Sequence, residues 1–339
     1  MVFISARDVY LRFGSAILAV VAGAVGIVVA VDLLRSVPGP APASASSIGA
    51  AAPAPAGASP IAGGRISTPN APGFPSPPDG AIVLSREAGS RALGLAILPG
   101  RPTTLVRASV LSPAGSGAAG LDVRARFGAR APVTLSPCGA GCYQAEIASA
   151  KVSRSVSVSL GSKAYAFRLP AARLPADATR ILDRATQTWR GLKTLVWHER
   201  LAGNATDAIH SVFKAVAPNE LSYAIQGGSA AVIIGGTRWD RAGAPGSWQA
   251  RSQTPSLRQP SPFWATTADA RVLGSSTVDG RAAWVVSFFD PSTPAWYQVV
   301  IDKQDYRTLD LTMTAASHFM HHVYGPFDAS FRLRPPVAG

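Results

Sequence analysis

Cysteine is nearly absent from this chain of 339 residues, with Cys138 and Cys142 the only two. A lipidated N-terminal cysteine is therefore excluded. Acidic residues are also scarce, 19 against 32 basic ones, which leaves few candidates for a paired-carboxylate hydrolase. Charged residues reach only 15%, low for a freely soluble protein. The sequence contains no G-x-S-x-G, H-E-x-x-H, G-x-G-x-x-G or Walker loop. Ser211-Val-Phe-Lys214 matches the bare S-x-x-K of penicillin-interacting enzymes, but the supporting S-D-N and K-T-G elements are missing and Ser211 lies in a strand-like run. No helix-turn-helix, RNP-like motif or basic run interleaved with aromatics is present, so nucleic acid is not an expected partner despite a net charge of +13. These absences together predict a protein that is not an enzyme. The positive charge, carried mostly by arginine, instead suits an anionic membrane or envelope surface.

What is present divides the chain. Residues 13 to 34 form an apolar run broken only by Asp32. About 20 residues of helix cross the roughly 30 Å hydrocarbon layer, and Arg7 and Arg12 ahead of the run favour a cytoplasmic N-terminus. Residues 1–12 are thus expected in the cytoplasm and 13–36 as a transmembrane signal-anchor, placing the bulk of the chain outside the cytoplasm on a single-pass tether. A cleavable signal peptide ending at Ala43-Ser44-Ala45 is the alternative, although its apolar core would be only about 7–15 residues. Residues 37–80 are Pro, Ala, Gly and Ser with almost no charge. Such a segment cannot bury enough apolar surface to offset its ordering entropy, and as a coil it reaches roughly 40 Å.

From 81 to 172, short β-like runs at 92–98, 103–111, 121–127, 131–135, 143–147, 153–160 and 164–169 alternate with turn signals. That spacing predicts an immunoglobulin-like β-sandwich. Cys138-Gly-Ala-Gly-Cys142 falls at a turn between two of these runs. Outside the cytoplasm such a pair forms a structural disulfide; the sharper alternative is a redox or copper C-x-x-x-C, for which this region offers no His or Met close by.

From 173 to 339 the pattern changes. Pro175-Ala-Asp177 opens a helical period with Ile181, Leu182, Ala185, Trp189 and Leu192 on one face. Strand-like runs follow at 195–201, 209–216, 221–226, 231–239, 247–252, 270–275, 283–289, 295–302, 308–315 and 318–324. In the ninth, Leu309, Leu311 and Met313 alternate with Asp310 and Thr312. The expected fold class is mostly β: an anchor helix, a leash, a sandwich, then a curved antiparallel half-barrel wrapped over a helix.

The stretch from Trp197-His198-Glu199-Arg200 through Val232-Ile-Ile-Gly-Gly-Thr-Arg-Trp239 to Trp296-Tyr-Gln-Val-Val-Ile-Asp302 resembles the lipoprotein-carrier (LolA/LppX-like) fold. The tail Met313-Thr-Ala-Ala-Ser-His318-Phe-Met320-His-His322 through Phe327, behind a sandwich, resembles the extracytoplasmic region of actinobacterial CopD-like copper-resistance membrane proteins. The multi-span transport portion and the amino-terminal histidine of a CopC-type copper site are absent from this chain. The carrier resemblance implies an apolar cavity between sheet and helix for a lipid-like ligand, with an envelope protein as the other class of partner. Trp189, Trp197, Trp239, Trp284 and Trp296 are the candidates to line it, against the simpler reading that each fills a core. His318, Met320 and His322 share one face of a strand and carry copper-type donors. Copper is therefore the one cofactor these donors suit, against ordinary hydrogen-bonded burial. One strand spaces such neighbours about 6.6 Å apart and supplies no complete coordination sphere, so His198, His210 and Met313 are the further donors available. Asn204-Ala-Thr206 fits a glycosylation sequon and is read as a turn.

Overall fold

A computed structural model describes residues 75–204, 208–243 and 246–337, which fall in one compact unit. The expected span at 13–36, the leash up to 74 and the threonine of the sequon lie outside the described residues. Among the described residues no helix is long and apolar enough to cross a membrane.

Nine strands form two facing antiparallel sheets. They are β1 Ile82–Ala88, β2 Arg91–Leu98, β3 Thr103–Leu111, β4 Val123–Phe127, β5 Val133–Thr134, β6 Ser136–Gly139, β7 Cys142–Ala148, β8 Ser155–Leu160 and β9 Lys163–Arg168. One sheet runs β1-β2-β3-β7-β6 and the other β5-β4-β8-β9. Leu93, Leu95 and Ile97 from the first meet Val123, Phe127, Val156 and Phe167 from the second in one core. β1 and β6 were not among the expected strands. β1 follows directly on a Pro-rich stretch, and β6 carries Pro137 and Cys138. Cys138 and Cys142 form a disulfide across the β6–β7 turn.

The helix α1, Thr179–Gly191, starts where Asp177 Oδ1 accepts from the Thr179 N–H at 2.9 Å, and buries Leu182, Ala185 and Trp189. Eleven strands follow: β10 Thr194–Ala202, β11 Ala208–Val216, β12 Glu220–Ile225, β13 Ala230–Ile234, β14 Thr237–Arg241, β15 Gln249–Ser252, β16 Ala268–Val278, β17 Arg281–Asp290, β18 Ala295–Asp302, β19 Thr308–Ala315 and β20 His318–Phe327. They make one open antiparallel sheet, β15-β14-β13-β12-β11-β10-β20-β19-β18-β17-β16. The strand expected over 231–239 is instead two. Gly235 at φ 59 turns the chain between the paired Ile234 and Thr237, the left-handed geometry a two-residue hairpin needs. The alternation expected of β19 is also shifted at one end. A bulge between Val300 and Ile301 turns Leu309 toward Ala283 and Val300, while Leu311 and Met313 keep the other side.

One side of this sheet faces α1 and the other faces the sandwich. β2 prepares that second contact by alternation: Leu93, Leu95 and Ile97 enter the sandwich core, leaving Ala92, Gly94 and Ala96 on the opposite side. On those small residues rest Phe289 and Trp296. A Cβ on Gly94 would stand 2.3 Å from Trp296 Cε2, so only glycine admits the indole.

Candidate functional site

Residues directly opposite across an antiparallel ladder point to the same side. The register therefore places Trp197, Phe213 and Tyr223 in one row and Tyr324 beside Trp197. Phe288 and Tyr297 form a second pair further along the sheet. All point toward α1. Trp197 stacks on Phe213 with ring centroids 4.7 Å apart, and Trp189 of α1 meets Tyr324 edge-on at 4.9 Å.

The cover on this side has two parts. One is α1. The other is the irregular segment 253–267 between β15 and β16, which carries three prolines and inserts Leu257, Phe263 and Trp264. Trp264 packs edge-on against both Trp189 and Phe288. The segment is tied down by a few polar contacts. The Gln259 N–H donates to Pro218 O at 2.9 Å, the Tyr297 hydroxyl to Phe263 O at 3.1 Å, and the Ala265 N–H to Asp290 Oδ2 at 2.9 Å. Beneath the helix, the space lined by Trp189, Leu192, Leu195 and Phe327 leaves about 0 Å3 open to water.

Two hydrogen-bonded polar clusters stand in the aromatic interior. His322 is fully buried; its Nε2 lies 2.7 Å from Glu199 Oε2 and its Nδ1 2.8 Å from the Tyr324 hydroxyl. With the carboxylate ionised, Nε2–H donates to Glu199, and Nδ1 accepts from the Tyr324 O–H. Burial pushes the Tyr324 phenol well above its ordinary range, which keeps that proton in place. The Phe263 ring closes over the imidazole edge-on at 4.5 Å. The second group is Arg238, whose Nε donates to Asp240 at 2.7 Å and whose terminal nitrogen donates to the Tyr223 hydroxyl at 3.0 Å. Both are hydrogen-bonded clusters that give the interior fixed polar points.

The structure divides the five candidate tryptophans. Trp189, Trp197 and Trp284 are on the helix side, Trp284 at the far end against Tyr306, which Arg184 of α1 covers. Trp239 and Trp296 do not line the interior. Trp239 alternates with the inward Arg238, and Trp296 with the inward Tyr297, so strand period two turns both to the outer side. His318, Met320 and His322 do share the helix-facing side of β20. Four residues of strand still set the two imidazoles about 13 Å apart, too far for one ion, and His322 already uses both ring nitrogens. Burial lowers the His318 pKa, leaving it neutral, with Nδ1 3.3 Å from Ala316 O. His198, His210 and His321 face outward, and Met313 pairs with Met320. Among the described residues no group of three or more His, Cys, Asp or Glu is placed to hold a metal ion. The residues not anticipated are Glu199, Phe263 and Tyr324. An acid at the inward position of β10, between Trp197 and Leu201, was the available signal for Glu199.

No protein-family model matches the sequence, and no curated protein matches it. Among solved structures, LprF from Mycobacterium bovis is similar at 11% identity and a TM-score of 0.37, over 49% of this chain and 99% of that one. The LolA superfamily protein NE2245 from Nitrosomonas europaea is similar at 12% identity and a TM-score of 0.24, over 47% and 96%. MucB in the Pseudomonas aeruginosa MucA/MucB complex follows at 13% identity and a TM-score of 0.25, over 45% and 56%. Each of these likenesses covers less than half of this chain.

Proposed function

We propose that this chain is a non-catalytic binding module, held outside the cytoplasm on its N-terminal span, whose half-barrel takes an apolar, lipid-like ligand between sheet and cover. The sandwich, read as immunoglobulin-like on its strand spacing, is the platform that carries the half-barrel. One observation supports the ligand above all others. The sheet's inner side is an aromatic surface covered by one helix and an irregular segment whose own plug, Phe263 and Trp264, is aromatic as well. A ligand chain replaces that plug by apolar contact of the same kind, while the hydrogen bonds from 253–267 to Pro218, Gly236, Asp290 and Tyr297 are broken and remade. The two buried polar units mark fixed points along such a ligand.

Native mass spectrometry of the full chain released from nanodiscs tests this, using protein prepared without chelator and with copper supplied. A lipid-sized adduct that organic extraction removes, and that becomes more abundant in Trp264→Ala, is the expected result. A bare polypeptide in both proteins would favour a docking adaptor, and a copper-sized adduct alone would favour metal handling.

A further inference from the structure

On the sheet's outer side, β1 and β9 of the sandwich and β17, β18 and β19 of the half-barrel enclose a recess of about 200 Å3. Its polar lining is Ser85, Arg86, Arg168, Ser287, Gln298 and Thr312, and no aspartate or glutamate lines it. Ser287 is the telling member. It is 1% exposed, yet its Oγ has no hydrogen-bond partner. Strand alternation gives it the same side as Phe289, which sits in the apolar seam against the sandwich, so its side chain lies on the recess side of the sheet, beneath the lining. Leaving a buried hydroxyl unmatched is unfavourable, and such a group is explained by something that completes it. Arg86 is held through its Nε by the Ala166 carbonyl at 3.1 Å, a contact that orients the guanidinium without neutralising it. Arg168, at the end of β9, is exposed. Glu87 follows on β1 but does not line the space.

Two guanidinium groups above hydroxyl and amide donors make the donor set that recognises an oxyanion, because their planar forks match its oxygens in pairs. At ~30 Å3 per water the recess has room for roughly six waters, the scale of a phosphate on a three-carbon carrier. We propose that this recess binds a phosphate ester of glycerol size, either free or as the headgroup of an anionic lipid. The net charge of +13 raises the local concentration of such anions. The site lies on the opposite side of the sheet from the aromatic interior, so the two ligand proposals stand independently.

Isothermal titration of the full chain in maltoside micelles tests it with three probes: inorganic phosphate, sn-glycerol 3-phosphate and monomeric dihexanoyl-phosphatidylglycerol. Arg86→Gln/Arg168→Gln weakens binding by roughly tenfold or more, and Ser287→Ala by a smaller factor. Arg200→Gln/Lys214→Gln, removing the same charge from the outer side of β10 and β11, changes it by about twofold at most. Arginine-dependent binding of glycerol 3-phosphate assigns a free ester, and arginine-dependent binding of the lipid alone assigns a headgroup. Equal weakening by the two charge pairs, or no binding of any probe, overturns the proposal.

Discussion

Replacing Gly94 by alanine tests whether sandwich and half-barrel are locked together by the seat of Trp296. The added Cβ would stand 2.3, 2.4 and 2.7 Å from three atoms of the indole, well inside contact distance. The indole is 1% exposed and hemmed by Phe289, so it has little room to withdraw. Overpacking of this kind costs about 1–3 kcal/mol. At about 2–4 °C per kcal/mol for a folded region of this size, Gly94→Ala lowers Tm by roughly 2–12 °C. Trp296→Ala alone costs more, about 3–5 kcal/mol, through lost burial and the cavity left behind. The informative variant is the double one, because with the indole gone the new methyl enters empty space. Gly94→Ala should then cost almost nothing, giving a coupling energy of about 2 kcal/mol. Thermal unfolding of the four proteins by calorimetry closes the cycle. If Gly94→Ala is neutral in the parent, or costs the same with and without Trp296, the close seating described here is wrong.

Three further outcomes follow from the same geometry. Burial holds the Asp269 carboxyl up to about 6, with the Gly80 N–H bond opposing the rise. The unfolded chain therefore gives up this proton first, and the group's effect is to lower stability as pH rises from about 4 to 6. A side-chain amide at this position would keep an acceptor for Gly80 and tolerate the φ of 56. Asp269→Asn should therefore match the parent near pH 4 and exceed it by about 1–2 kcal/mol at pH 7, the part-exposed position reducing the full effect; equal pH profiles in urea unfolding would count against this. Glu199→Leu strands the buried imidazole and should cost about 3–5 kcal/mol, whereas Glu199→Leu/His322→Phe should recover much of it; a double variant as unstable as the sum of the singles would refute the pairing. Cys138→Ser/Cys142→Ser opens a loop of only a few residues and should lower stability by about 2 kcal/mol, the same loss that reductant produces in the parent; a larger drop would mean the β6–β7 turn depends on more than loop closure.

Local chemistry was legible in the sequence wherever one period governs a segment. The helical face of Leu182, Ala185 and Trp189, the Leu311 and Met313 side of β19 and the disulfide turn all follow from spacing that needs no distant partner. Glu199 went unread, although an acid among inward apolar residues of β10 requires a partner. Which side of the sheet each tryptophan faces was less accessible. A tryptophan fits either side of a strand buried on both, and only the register separates Trp197, against the helix, from Trp296, against Gly94. The partners themselves were out of reach. His322 lies 123 positions from Glu199, and Arg86 and Ser287 come to line one recess from different layers of the fold. Such pairings are set by the β10–β20 ladder and by the seating of β1 on the outer side, and these form only when burying both sides of one sheet outweighs the entropy of closing those long loops.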